Sequence, residues 1–406
     1  MARPDADRPS RRHIVPSLVA ALLLAGCASF AQKPRVDAQA IDRFVATGYV
    51  APRVGVASDE AIAWNTADSA VSARLLVPSH VAPAPLIVYL PGLGQAATAD
   101  CTWTHAWAEA GYAVLSIQPL VEDAEAWTSA DARRGEFDVV ARHRLAAPAM
   151  QQRLSELART IATLKARTAA FPRLAAIDWT RIVLAGYDVG ATTVMVAAGE
   201  AYPGVEPVSL PIRPRAVLAL GPLEGGIPRG ELTTRYEKVG VPALWVGGRN
   251  ESTVYGAAAQ GSARDDAFEA LPRNGSALLL LADGTHRQIA GEVVAEPPVD
   301  ADEDRRIPAA RAQRSQRDSV EEAAQREAEM RALLGERDGR SGADAGAVAA
   351  ARSLTMTQRA LGVAAIRTVT TAYLDAVVRD EPAARDWLRN AAGPWLGPVA
   401  RLRLQP

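Results

Sequence analysis

The sequence is poor in cysteine and histidine and carries no excess of charge of either sign. It has 2 cysteines, 5 histidines and a formal net charge of −1 in 406 residues. Because the chain has no excess of basic residues to bind the phosphates of a nucleic acid, no nucleic-acid partner is expected. With only Cys27 and Cys101, a disulfide framework is excluded and the fold must rely on its hydrophobic core. No metal or other cofactor is expected.

A long hydrophobic run is also missing at the N-terminus. An arginine-rich start precedes an apolar run from Ile14 to Leu24, which is shorter than the ~20 residues that span a bilayer but suits a secretory signal. The "LAGC" that ends the run resembles the lipobox of bacterial lipoproteins. That resemblance implies cleavage before Cys27 and a lipid on its thiol. Because Ala28 follows, it also implies an outer-membrane location facing the periplasm. An uncleaved signal anchor is the alternative.

Short apolar runs alternate with helical patterns along the middle of the chain. Continuous apolar runs of this length are typical of buried parallel strands, and the β-α-β-α order predicts an α/β fold with a mostly parallel sheet flanked by helices. Alternating stretches within residues 56–78 predict antiparallel strands at one edge. The buried runs are PLIVYLPG (85–92), YAVLSIQPL (112–120), RIVLAGY (181–187), RAVLALGP (215–222), PALWVGG (242–248) and SALLLLADG (276–284).

Changes in composition divide the chain. We expect a lipoprotein signal peptide at 1–26, a tether at 27–44 and an α/β core at 45–296. Residues 297–350 are dense in both charges and poor in large apolar side chains, which predicts a charged helical or disordered insertion. The apolar pattern returns in 351–406, which we interpret as C-terminal helices that complete the core.

The stretch LAGYDVGATT (184–193) places Asp188 between a predicted strand and a predicted helix, where Gly186 and Gly190 flank it. Such a strand–turn–helix needs small neighbours because the strand and the helix approach closely. The helix also directs backbone N–H groups and its positive dipole end at the central side chain. This pattern is that of a nucleophile elbow, with an aspartate where serine is usual.

With this elbow, the chain resembles the α/β-hydrolase fold family. The nearest resemblance is to dienelactone-hydrolase-like and platelet-activating-factor-acetylhydrolase-like esterases. VYLPGLGQ resembles the turn after the third strand, so the resemblance implies that the backbone N–H groups of Leu93 and Val189 form the oxyanion hole. LLLLADGTHRQ resembles the last strand and the loop of the catalytic histidine, here His286. The other histidines lie in the signal or have no motif around them.

The position of the acid departs from the family pattern. The resemblance places it near Asn250, where this chain has no carboxylate. Glu251 follows directly, and Glu224 lies after an earlier strand. An acid is needed to hold the histidine tautomer and to stabilise the imidazolium. We prefer Glu251 and keep Glu224 as the second candidate.

Asp188 leaves several functions open. As a nucleophile it would attack an alkyl carbon, as in haloalkane dehalogenases and epoxide hydrolases, and His286 would then activate water. Attack on an ordinary ester would form an anhydride and is chemically poor. We therefore expect a hydrolase of an ester-like or alkyl-electrophile small molecule. The alternative is a catalytically inactive binding or scaffold lipoprotein of the same fold. A pair of Cys101 and His105 on one helical face is a weaker nucleophile candidate.

Overall fold

The computed structural model describes residues 35–65, 70–81, 83–168, 172–223, 229–249, 251, 262–293 and 341–406. The predicted signal peptide with Cys27, the candidates Glu224 and Asn250, and most of the predicted insertion lie outside these residues. The chain divides into two compact units, one of Met1–Arg35 with Ala295–Leu354 and one of Val36–Val294 with Thr355–Pro406. We call the second the core unit. Every feature analysed below belongs to it, except the first part of the helix that begins at Ser341.

The strands of the core unit form a single sheet that is mostly parallel. Its order is β1-β2-β4-β3-β5-β6-β7-β8-β9. Strands β3 to β8 pair in parallel, whereas β1, β2 and β9 are antiparallel to their neighbours. The strands are β1 Val56–Asn65, β2 Ala70–Pro78, β3 Ala84–Leu90, β4 Ala113–Gln118, β5 Ile177–Tyr187, β6 Pro214–Leu220, β7 Ala243–Gly248, β8 Ala277–Leu281 and β9 Ala400–Leu404. The predicted α/β architecture with a mostly parallel sheet and an antiparallel edge is confirmed.

Helices connect the strands and cover both faces of the sheet. Short 3₁₀ turns occur at Ala126–Thr128 and Pro172–Ala176, and a π-turn at Trp387–Ala391. The α-helices are α1 Ala38–Ala46, α2 Thr102–Glu109, α3 Val121–Ala124, α4 Ala130–Arg133, α5 Phe137–Arg144, α6 Ala147–Ala166, α7 Val189–Ala197, α8 Arg229–Tyr236, α9 Ser262–Glu269, α10 His286–Ile289, α11 Ser341–Val378, α12 Pro382–Asp386 and α13 Ala392–Leu396.

The core lies on both faces of the sheet because the inner strands are mostly apolar. Strands β3, β4, β7 and β8 are buried at every position, as expected for parallel strands with helices on both sides. One face packs against the stripe of α6 that contains Leu157, Ile161 and Leu164. The other packs against α11, through Ile366 and Val369 among others. Burial on two faces holds the strands in register and fixes their ends, where the site lies.

The structure adds elements to the predicted outline. Helix α1 occupies Ala38–Ala46, at the end of the segment predicted as a tether, and α11 begins at Ser341, within the predicted insertion. The antiparallel strand β9 was not predicted, because ARLRL is short and alternates apolar and charged residues. Among the described residues one helical stretch, Ala351–Val378, has the length and apolarity to cross a membrane. Of its most apolar window 78 % is buried, which is typical of a core helix.

Parallel strands end at the same edge of a sheet, and in open α/β sheets this carboxyl edge is where sites form. Strand β3 leads to Leu93, β5 to Asp188, β7 to Glu251 and β8 to His286. Residues from four separate segments therefore meet at one edge.

Candidate active site

Asp188 occupies a sharp turn between β5 and α7. Its φ of 56° and ψ of −122° form a strained conformation for a residue with a side chain. A Cβ on Gly186 would lie 2.4 Å from the carbonyl of Gly190, and a Cβ on Gly190 would lie 2.2 Å from Leu90 O. The two glycines that flagged the elbow in the sequence are thus required by contact between the strand and the helix.

The backbone N–H of Leu93 donates to Asp188 Oδ2 at 3.0 Å. This N–H is the donor that the sequence resemblance assigned to an oxyanion hole, and here it binds the carboxylate at the elbow. Val189, the second assigned donor, is the first residue of α7, where helix N–H groups have no partner within the helix. The side chains of Leu93 and Val189 are buried together under the segment of α3 to α5.

The segment 121–145 also holds the turn that carries Leu93. Trp127 Nε1 donates to Leu93 O at 3.0 Å, and Gly94 N donates to Asp123 O at 2.7 Å. Asp123 is itself fixed by a buried two-bond ion pair with Arg153, at 2.6 and 2.8 Å. Gly94 has a φ of 76°, and a Cβ there would lie 1.9 Å from the Trp127 ring. The position of the Leu93 donor therefore depends on residues about 30 positions further along the chain.

His286 lies between two carboxylates. Its Nδ1 is 2.8 Å from Glu251 Oε1, and its Nε2 is 3.5 Å from Asp188 Oδ1. The second distance is at the upper limit for a hydrogen bond. The Tyr187 ring contacts the imidazole in a tilted arrangement, with ring centroids 4.8 Å apart, and its hydroxyl donates to His286 O at 3.0 Å. The structure thus brings together Asp188, His286 and the preferred acid Glu251.

Glu251 is completely buried, and besides His286 it binds Arg264, a residue that the sequence did not indicate. Arg264 Nη1 lies 2.5 Å from Glu251 Oε2, which also accepts from Gly248 N at 3.1 Å. Arg264 Nη2 donates to Pro222 O at 3.0 Å. A Cβ on Gly247 would lie 1.7 Å from Arg264 Nη1. The Gly247-Gly248 doublet that ends β7 was the available signal, because it leaves the space that the buried guanidinium fills.

Asp188, His286, Glu251 and Arg264 form what we call the charged row, in which negative and positive groups alternate. Burial opposes a charge on His286, but its hydrogen bonds to Asp188 and Glu251 outweigh this effect and raise the pKa of His286 to about 9. Burial would likewise raise the pKa of Glu251, yet the charge of Arg264 and the bond to His286 lower it below its ordinary value. At neutral pH His286 is therefore an imidazolium, and the row has no net charge.

The raised pKa of His286 makes the free energy of unfolding depend on pH. An imidazole titrates near 6.5 in an unfolded chain, so the stabilisation is fully present below about pH 6.5 and is lost as pH rises to about 9. We expect a loss of about 3 kcal/mol over this range, because each pKa unit corresponds to about 1.4 kcal/mol. Urea unfolding at pH 6 and pH 9.5 would measure it.

The variant His286→Gln should remove most of this pH dependence and lower the stability at pH 6. His143→Gln is the matched control, because His143 is largely exposed, with 71 % of its side chain accessible. An equal pH slope in the two variants would show that other groups cause the effect.

The weaker nucleophile candidate is placed differently. Cys101 is the residue before α2 and packs at the edge of the apolar cluster that includes α11. His105 points its Nε2 to Asp100 at 3.4 Å. The chemistry-bearing groups of the described residues are concentrated in the charged row instead.

Comparison with known proteins places the chain in no family. No protein-family model matches the sequence, and no curated protein is similar to it. Its class follows from the structure alone: it is an α/β protein with a mostly parallel sheet, at whose carboxyl edge an aspartate elbow meets a partly buried histidine and a buried glutamate.

Proposed function

We propose that the chain is an enzyme of the α/β-hydrolase fold that hydrolyses a small molecule at an alkyl carbon through an ester of Asp188. One observation supports this proposal most. The Leu93 N–H binds one oxygen of Asp188 at 3.0 Å, and the other oxygen faces His286. The elbow, the histidine after β8 and the chain order aspartate, glutamate, histidine support the assignment of the fold.

The bond between Leu93 and Asp188 favours alkyl over acyl chemistry. An enzyme that attacks an ordinary ester must offer this donor to the carbonyl oxygen of its substrate. Here the donor serves the carboxylate, which is the group that becomes an ester when Asp188 attacks an alkyl carbon. The charge that develops in hydrolysis of that ester then falls on the oxygen that Leu93 already holds.

The reaction has two balanced steps. In the first, Asp188 Oδ1 forms a bond to the alkyl carbon, and the leaving group takes the electron pair of the broken bond. An epoxide oxygen also takes the proton held by His286, whereas a halide is too weak a base to do so and that proton passes to water. In the second, neutral His286 takes a proton from water as the water oxygen attacks the carbonyl carbon of the Asp188 ester. The alcohol leaves and the carboxylate returns. Loss of the negative charge of Asp188 in the first step lowers the pKa of His286, so the histidine becomes a base when one is needed.

Trapping the ester tests this mechanism directly. We expect His286→Gln to complete the first step with haloalkanes, whose halide leaves without a proton, and then to stop, so that a panel of haloalkanes leaves one adduct on the Asp188 peptide, detected by mass spectrometry. The double variant Asp188→Asn with His286→Gln should acquire none. Turnover by the parent without any adduct in His286→Gln would rule out the covalent route.

A second function has its own supporting observation. Asp188 is only 2 % exposed and is bound on both oxygens, as in a closed ion pair of an inactive binding or scaffold protein. That reading predicts no adduct and no turnover with any of these electrophiles, together with a fold that unfolds cooperatively.

For the location of the protein, we propose a lipid anchor on Cys27 that holds the chain at the outer membrane, facing the periplasm. The arginine-rich start, the apolar run and LAGC support it. Cys27→Ser should block processing of the signal and remove the lipid mass from the N-terminal peptide. A processed, membrane-bound Cys27→Ser protein would contradict the anchor.

Trp127 is predicted to support the second step. Trp127→Phe keeps a ring beside Gly94 but removes the N–H that holds Leu93 O, so the Leu93 donor loses an anchor. We expect the rate of ester hydrolysis to fall about tenfold, the effect of one lost hydrogen bond, with adduct formation in the His286→Gln background unchanged. Trp179→Phe is the control, because Trp179 Nε1 has no hydrogen-bond partner in the described chain. Equal rates for the two variants would contradict the role.

A further inference from the structure

A small cavity lies at the edge of the sheet opposite the charged row. Its volume is about 90 Å³, and its walls come from the chain around Val50, the last turn of α2 and the middle of α11. Helix α2 ends here and leads into the beginning of β4. The cavity is therefore at the amino ends of the parallel strands, whereas Asp188 and His286 are at their carboxyl ends.

Two arginines line this cavity, and neither is held in an ion pair by a described residue. Neither Arg53 nor Arg367 forms a side-chain hydrogen bond or an ion pair in the part of the chain that the structure describes. Arg367 is half-buried, and burial and the nearby charge of Arg53 lower its pKa. Among the described residues of the wall Glu109 is the acidic one, and its charge raises the pKa of Arg367. With two arginines against one carboxylate, the described lining carries a net positive charge. Like charges held together near low-dielectric walls are costly unless an anion offsets them.

The remaining wall adds a hydroxyl group and an apolar side. Thr368 is only 6 % exposed, lines the cavity and has no side-chain hydrogen bond within the described ranges. Val45, Val50 and Ala51 form the apolar side, and Val50 is 75 % exposed at the rim. The site thus combines two forked cationic donors, one hydroxyl and an apolar lip.

We propose that this cavity binds a phosphate group. Guanidinium groups match phosphate oxygens in pairs, and the hydroxyl of Thr368 supplies a further donor. A volume of about 90 Å³ exceeds that needed for a few waters but is far below the ~300 Å³ of a site for a whole cofactor or drug-sized ligand. The group is either free phosphate or the headgroup phosphate of a phospholipid, whose chains the exposed Val50 would meet.

Thermal unfolding of the full chain in a nonionic detergent without phosphate tests the site. Inorganic phosphate should raise the unfolding midpoint in a saturable way, because a ligand that binds only the folded state stabilises it. Arg367→Gln should weaken the apparent affinity at least about tenfold, the effect of losing a charged hydrogen-bond pair. Arg53→Gln, at an exposed position, should also weaken it. Arg389→Gln is the matched control: Arg389 is exposed and does not line this cavity, and the substitution changes the net charge equally.

Mixed micelles distinguish the two sources of phosphate. A midpoint raised by phosphatidylglycerol but not by uncharged diacylglycerol, and lost in Arg53→Gln, assigns the site to a lipid headgroup. A response to inorganic phosphate alone assigns it to the free ion. If neither ligand shifts the midpoint, or if Arg53→Gln and Arg367→Gln respond as Arg389→Gln does, the cavity is not a phosphate site.

Discussion

Asp188→Ser should cleave nitrophenyl acetate at least about a hundredfold faster than the parent chain. Two changes at the elbow act together. A serine hydroxyl can give its proton to His286, which a carboxylate cannot, and the Leu93 N–H is released from Asp188 Oδ2 to bind the carbonyl oxygen of the substrate. A single donor of this kind accounts for about a hundred- to a thousandfold in rate.

The comparison variant is Asp188→Ala, which releases the same donor without supplying a nucleophile. It should stay as inactive as the parent toward the ester, so that the gain can be assigned to the hydroxyl. The gain should also follow the ionisation of His286, whose pKa falls when the neighbouring charge of Asp188 is removed. If serine and alanine variants cleave the ester at the same rate, the elbow does not present its side chain to substrates.

Glu251→Gln should lower the free energy of unfolding by about 3–5 kcal/mol, the cost of leaving a buried charge without its partner. Both oxygens of Glu251 are used, one by His286 Nδ1 and one by Arg264 Nη1, and neither Glu251 nor Arg264 has accessible surface. The glutamine amide keeps the shape of the carboxylate, but it offers only one acceptor oxygen to the two cationic donors His286 and Arg264. Chemical unfolding at pH 7 would measure the change.

Two further variants show whether the buried charge is the cause. Glu292→Gln breaks a glutamate–arginine pair with Arg287 in which about half of each side chain is exposed, and we expect a change within about 1 kcal/mol. The double variant Glu251→Gln with Arg264→Met should recover much of the loss, because it removes the unpaired charge. A Glu251→Gln change no larger than that of Glu292→Gln would show that water reaches Arg264.

The sequence was most informative where the backbone allows few alternatives. The turn at Asp188 requires glycine on both sides, so Gly186 and Gly190 marked it, and uninterrupted apolar runs marked the strands buried on two faces. His286 could also be predicted, because a loop that follows an apolar parallel strand lies at the carboxyl edge of the sheet. The chemistry at that edge could be outlined from these residues alone.

Contacts between distant segments were not predictable in the same way. Arg264 is an ordinary polar residue of a short helix in the sequence, and only the fold brings it against Glu251. Trp127 reaches Leu93 because α3 to α5 fold back over the turn after β3. Strand β9 is stabilised by its pairing with β8 and by ion pairs from Arg401 and Arg403 to Asp265, none of which its alternating sequence specifies.

The alternation of charge in the row has a consequence for the capture of substrate from solution. Two anions and two cations at short spacing cancel within a few ångströms, so little electric field extends beyond the edge of the sheet. Neutral electrophiles then approach without attraction or repulsion, and ions gain no guidance toward Asp188. Added salt should therefore leave the rate of substrate capture unchanged, because there is no long-range field for it to screen. In His286→Gln one cation of the row is gone and Glu251 is intact. The second-order rate of adduct formation by this variant should therefore depend on ionic strength for charged electrophiles. For a neutral electrophile, kcat/KM of the parent should be the same in low and in high salt.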